Sequence, residues 1–104
     1  MLGFEAAQAH HLLNLGRVQL QCANVEAARP TLEHAINLAD GCGDARTATS
    51  ARTHLAQLLR DTGDTTAALE LAEQATRWFD GAGGGDGTDH AQQLLADLRR
   101  DKAT

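Results

Sequence analysis

Apolar residues return along the chain at three- and four-residue steps, the spacing of one face of an α-helix and not the alternation of a half-buried strand. Leu55, Leu58 and Leu59 recur in this way, and so do Ala68, Leu71, Ala72 and Ala75. Polar residues punctuate the runs. Asn24, Asp44 and Asp64 stand where a side-chain oxygen can accept the orphan N–H groups of a helix start. Gly63 stands where a helix ends in the left-handed conformation. A first helix runs to about Cys22 and a second from Asn24 to about Ala39. A third opens at Asp44, and a fourth runs from Asp64 to Trp78 and Phe79, stopping at Gly81. A fifth occupies about residues 88–101. Pro30 falls near the sixth position of its helix, where its ring and missing N–H disturb the preceding turn. A mild kink or a late start is expected there.

The runs repeat with a period of 40. Between residues 11–43 and 51–83, eight of 33 positions are identical: Leu15/Leu55, Ala27/Ala67, Ala28/Ala68, Glu33/Glu73, Ala35/Ala75, Asp40/Asp80, Gly41/Gly81 and Gly43/Gly83. Between 51–61 and 91–101, six of 11 match, among them Leu55/Leu95, Leu58/Leu98 and Arg60/Arg100. A fixed period of this size is the mark of a repeat architecture. The expected fold is therefore all-α, a solenoid of antiparallel helix pairs with five helices in two and a half repeats. One domain spans 1–104, with repeat 1 at about 8–43, repeat 2 at about 44–83 and a capping helix at about 88–101. Composition agrees. The chain has 20 Ala and 15 Leu but three aromatics, Phe4, Trp78 and Phe79. Ala and Leu favour helices, whereas strands favour β-branched and aromatic residues.

The repeat resembles the tetratricopeptide repeat. Its first helix carries a large apolar residue followed by a small one, as at Leu15-Gly16, Leu55-Ala56 and Leu95-Ala96. Its second helix carries small residues at two points, here Ala28 and Ala35, then Ala68 and Ala75. The segment 63–75, GDTTAALELAEQA, is the most specific match. Ala23 departs from the pattern by replacing a Gly. The 40-residue period looks like the longer variant of bacterial signalling and transcriptional regulators, and the Ala/Arg/Asp/Gly-rich wording resembles actinobacterial examples. The resemblance implies a protein–protein interaction module without catalytic activity, working in bacterial regulation.

Nine Lys and Arg against 14 Asp and Glu give a net charge of −5. That balance disfavours nucleic-acid and anionic-membrane partners, which call for a basic patch. The N-terminal segment lacks the basic and continuous apolar regions of a signal peptide. A cytoplasmic protein is expected. The acids lie at caps and on polar faces, and Ser50 has no nucleophile elbow around it, so no catalytic set assembles. The five His do not form a metal site: His10 and His11 diverge by about 100° on a helix, and His10 and His90 lie two repeats apart. No metal and no cofactor is expected. Cys22 and Cys42 fall at opposite ends of a helix pair, too far apart for a disulfide, and Cys42 is expected on the surface. The stretch 81–89, GAGGGDGTD, nearly fits one calcium-binding nonapeptide of the β-helix type. Such motifs work in tandem copies, so it reads as a flexible linker.

In such solenoids the first helices line a concave groove. In this register the groove carries His10, Leu13, Asn14, Arg17, Thr53, His54, Gln57, Arg60, His90 and Gln93. Its donors suit a peptide or partner protein bearing acidic or amide groups. Only Asn14 has a counterpart in the carboxylate clamp of chaperone-binding members, so that specificity is not carried over. Two other roles remain open: a self-associating scaffold, and a peptide or small-molecule sensor tail of a regulator. The solenoid's first helix has no preceding repeat, leaving Leu2, Phe4 and Leu12 on a face open for homodimerisation. That face is shielded by the N-terminal segment itself, by a second copy or another chain, or by a longer chain of which this is a fragment.

Overall fold

The computed structural model describes residues 2–103, without the side chain of Leu2. Five α-helices follow one another: α1 (Leu2–Gln21), α2 (Val25–Gly41), α3 (Ala45–Asp61), α4 (Thr65–Gly81) and α5 (Thr88–Ala103). Each packs against the next, while α1 also touches α3 and α3 touches α5. The result is a two-layer slab of 47 × 32 × 17 Å, with α1, α3 and α5 in one layer and α2 and α4 in the other. Among the described residues no helix is long and apolar enough to cross a membrane.

The punctuation works as the sequence predicts. Asn24, Asp44 and Asp64 accept hydrogen bonds from the N–H groups of Ala27, Thr47 and Ala67, at 3.4, 3.2 and 3.3 Å. These caps stand 20 residues apart because α2 and α3, which separate them, are each 17 residues long. The C-terminal ends repeat as regularly. The Asn24 N–H donates to the Gln19 carbonyl, and Asp44 and Asp64 donate likewise to Ala39 and Leu59. This six-residue closure needs one left-handed residue just before the cap. Gly43, Gly63 and Gly83 supply it, with φ of +76°, +93° and +85°. At the first turn Ala23 takes the same role at φ +59°, with a Cβ that this conformation crowds. The substitution Ala23→Gly is expected to stabilise the protein. Relief of roughly 1–2 kcal/mol of strain outweighs the roughly 0.4–1 kcal/mol lost to a freer unfolded chain. A thermal melt should rise by a few degrees.

Pro30 neither delays nor interrupts its helix. α2 begins at Val25 and runs unbroken through the proline. The carbonyl deprived of a donor belongs to Glu26, which is exposed, so water can replace the missing N–H.

The main core joins all five helices through Leu13, Leu32, Ala35, Leu55, Ala56, Leu59, Ala68, Ala72, Leu94, Leu95 and Leu98. Close approach explains the small residues. A Cβ on Gly16 would stand 2.5 Å from the Leu32 side chain, which is fully buried. Two smaller clusters seal the helix junctions. Ala9, Ala39 and Ala48 link α1, α2 and α3, while Ala75, Phe79 and Ala91 link α4 to α5.

Two site assignments change here. Leu12 is half-buried against the main core and so is not on the open face. Thr53 is fully buried, its hydroxyl donating to the Thr49 carbonyl, because its side of α3 is packed inside the slab.

Candidate functional site

The layer of α1, α3 and α5 encloses a recess of about 430 Å³. His10, Ser50 and His90 line it as one rung. They sit 40 residues apart, at one position of three successive repeats. Leu13 and Arg17 of α1, Arg46, Thr47 and His54 of α3, and Asp86 and Gly87 before α5 complete the wall. A second recess of about 210 Å³ continues from it along Leu20, Gln21, Gln57 and Asp61, sharing Arg17, His54 and His90.

His54 and His90 face each other with ring centroids 4.7 Å apart and planes tilted by 46°. Burial pushes the His54 pKa from 6.5 down to about 4, helped by the neighbouring His90 and Arg17. Burial and Arg17 also lower that of His90. Both rings are therefore neutral at pH 7. Arg17 is exposed; it donates to Asn14 Oδ1 at 3.4 Å and, among the described residues, pairs with no carboxylate. Among the described residues Asp86 is the one acidic side chain lining the larger recess, in a chain that is acidic overall.

The loop before α5 is built, not slack. Arg46 donates to the carbonyls of Asp86 at 3.1 Å and Gly84 at 3.0 Å. Its guanidinium lies 5.2 Å from the Trp78 ring centre and 5.6 Å from that of Phe79. Gly87 sits directly on Phe79: a Cβ there would come within 2.8 Å of the ring, and its φ of +94° suits glycine. The flexible-linker reading of 81–89 is thus corrected, because an arginine 40 residues upstream and two aromatic rings hold the loop.

The structure brings together His10, Leu13, Arg17, His54 and His90, with Gln57 in the adjoining recess. It does not add Arg60, Gln93 or Asn14 to either recess. The Arg60 guanidinium is engaged by α5: Nε bonds Asp101 at 2.7 Å and Nη1 lies 3.6 Å from Asp97. The Asp101 hydrogen bond, with these nearby carboxylates, raises its pKa. Gln93 is exposed and donates to Asp97. Arg46, Thr47, Ser50, Asp86 and Gly87 are groove residues that the sequence reading missed. The period held the signal for Ser50, midway between His10 and His90.

Among the described residues no three His, Cys, Asp or Glu side chains converge to hold a metal ion. Cys22 and Cys42 are both free thiols. Cys42 is half-buried rather than open, its Sγ 3.6 Å from the Ala39 carbonyl.

A family model for the tetratricopeptide repeat matches residues 9–42 and 49–79. The two matches begin one 40-residue period apart. No curated protein and no solved structure matches the chain.

Proposed function

Because this chain belongs to the tetratricopeptide repeat family, whose repeats generally mediate protein–protein interaction, we propose that its groove captures a peptide or extended segment of a partner protein bearing acidic or amide groups. The carrying observation is the recess around the His10, Ser50 and His90 rung, where Arg17 offers a guanidinium to the ligand. Two neutral His rings lie beside it and can donate or accept according to tautomer. The walls come from three helices of one packed layer and the loop that Arg46 and Phe79 hold before α5, so the groove is preformed and little ordering opposes binding. Capture rests on shape, hydrogen bonds and one charge, and no bond is made or broken.

In this reading the module is the partner-reading part of a cytoplasmic bacterial regulator, which the 40-residue register and the composition support. The same recess, at about 430 Å³, is within the size range of small-ligand clefts. A small-molecule sensor is therefore the second reading.

Labelled peptides differing only in Asp/Glu content test the proposal by fluorescence polarisation. Acidic peptides should bind more tightly than neutral ones, and binding should weaken with salt. Arg17→Ala should weaken it about tenfold or more, the order expected for losing a charge-assisted hydrogen bond. Arg60→Ala, whose charge already serves Asp101 and Asp97, should leave affinity within about twofold. Equal affinity for acidic and neutral peptides, or an Arg17→Ala protein that binds as before, refutes the reading.

A further inference from the structure

Residues 40 apart occupy one structural position, so the first helices of the repeats can be compared directly. Leu15, Leu55 and Leu95 are 48%, 9% and 6% exposed. Val18, Leu58 and Leu98 are 53%, 1% and 0% exposed. His11 is exposed, where Ala51 and Ala91 are fully buried. The difference is the neighbour. On α3 the preceding helix α2 brings Leu32 and Ala35 into the core that holds Ala51 and Leu55, and on α5 the preceding α4 brings Ala75 and Phe79 to Ala91. Among the described residues α1 has no such helix.

The bare face is a seam. Phe4, Gln8, His11, Leu15, Val18 and Cys22 are all exposed and follow one another at alternating four- and three-residue steps. That is the spacing with which two helices pack along their length. No Asp, Glu, Lys or Arg lies on it, although the chain carries a net charge of −5.

We propose that two copies of this chain meet along this seam, α1 against α1, about a two-fold axis. Among the described residues, the exposed large hydrophobics are Phe4, Leu15 and Val18, all on α1. The matching apolar surface is therefore the same stripe on a second molecule. A head-to-tail stack finds no match at the other end, where α5 presents Gln92, Gln93, Arg99 and Arg100 to solvent. An isologous contact closes as a dimer instead of growing into a filament. Elsewhere two copies of like net charge repel; along the seam they do not. Its reach is one helix of 20 residues, about 30 Å. A single helix pair buries less than the roughly 1,200 Å² of a standard interface, so the dimer is weak and reversible.

Sedimentation equilibrium of the full chain in reducing buffer, from about 10 μM to about 1 mM, tests this. Average mass should climb from 11.0 kDa toward twice that value as concentration rises. Leu15→Glu sets two carboxylates in the seam and should weaken dimerisation at least about tenfold, the cost of like charges facing each other across an interface. Because Leu15 is half out in solvent, helix content and melting temperature should hold, which separates a lost interface from a lost fold. Arg17→Ala, facing the groove, should dimerise like wild type. Failure here and failure of the groove reading therefore show in different variants. A mass that stays at 11.0 kDa throughout, or a Leu15→Glu protein that dimerises as tightly as wild type, overturns the proposal.

Discussion

Phe79→Ala is expected to cost about 3–5 kcal/mol, the usual range for emptying a fully buried aromatic site. A domain of this size holds about 5–15 kcal/mol in total, so the variant should be partly unfolded or close to it at 37 °C. The reason is what the ring supports. Phe79 is fully buried and packs with Ala75 and Ala91, fastening α4 to α5. Trp78 meets it edge-on with centroids 5.3 Å apart. Gly87 rests against its far end, at Cζ and Cε1, and Arg46 reaches over it to hold the loop carbonyls. Removing the ring takes away the seat of the loop as well as a share of the core. Denaturant unfolding should show the loss in stability. Hydrogen exchange should show it first in α5 and residues 84–87, with α1 and α2 affected less. Equal loss of protection in all five helices would mean that Phe79 supports the whole slab and not this junction.

The fold was legible because it is written twice and a half over. The starts of α2, α3 and α4 carry an Asn or Asp cap, and three of the four left-handed turn residues Ala23, Gly43, Gly63 and Gly83 are Gly, which are local signals. The apolar register followed from the period. The groove was legible only where it obeys that period. His10, His54 and His90 could be placed because a first-helix face repeats. Arg60 could not be judged, because its charge is taken by carboxylates 37 and 41 residues downstream, on a helix whose tilt no local rule fixes. Arg46 was missed for a related reason. Its work is done on backbone carbonyls across 38 and 40 residues, and a backbone carbonyl has no letter in the sequence. Leu12 and Leu15 show the same limit on the open face. Both are leucines in one helix, and only the packed structure tells which one turns inward.

The second large effect is a loss of stability in acid, centred on His54. Its folded-state pKa is lowered from 6.5 to about 4, first by burial, then by His90 and Arg17. A histidine held neutral in this way binds its proton more readily when unfolded. Its contribution is therefore fully present above pH 6.5 and is lost as pH falls toward 4. A drop from 6.5 to about 4 corresponds to about 3 kcal/mol, of which about 2 kcal/mol is gone by pH 5. His90, lowered in the same direction and 4.7 Å away, adds to the slope, since two protonated rings and the Arg17 cation would then share one recess. Melting curves at pH 7.5, 6, 5 and 4.5 should fall steeply for wild type and more gently for His54→Gln. Parallel curves would show that the ring is not what acid attacks. Binding opposes the same loss. An acidic peptide seated beside Arg17 supplies the negative charge that a protonated His54 lacks, so it binds the protonated native state in preference to the unfolded chain. Saturating peptide should then shift the acid transition of wild type to lower pH by mass action. The shift should shrink in Arg17→Ala at the same peptide concentration, because the peptide is held about tenfold less tightly against the two rings.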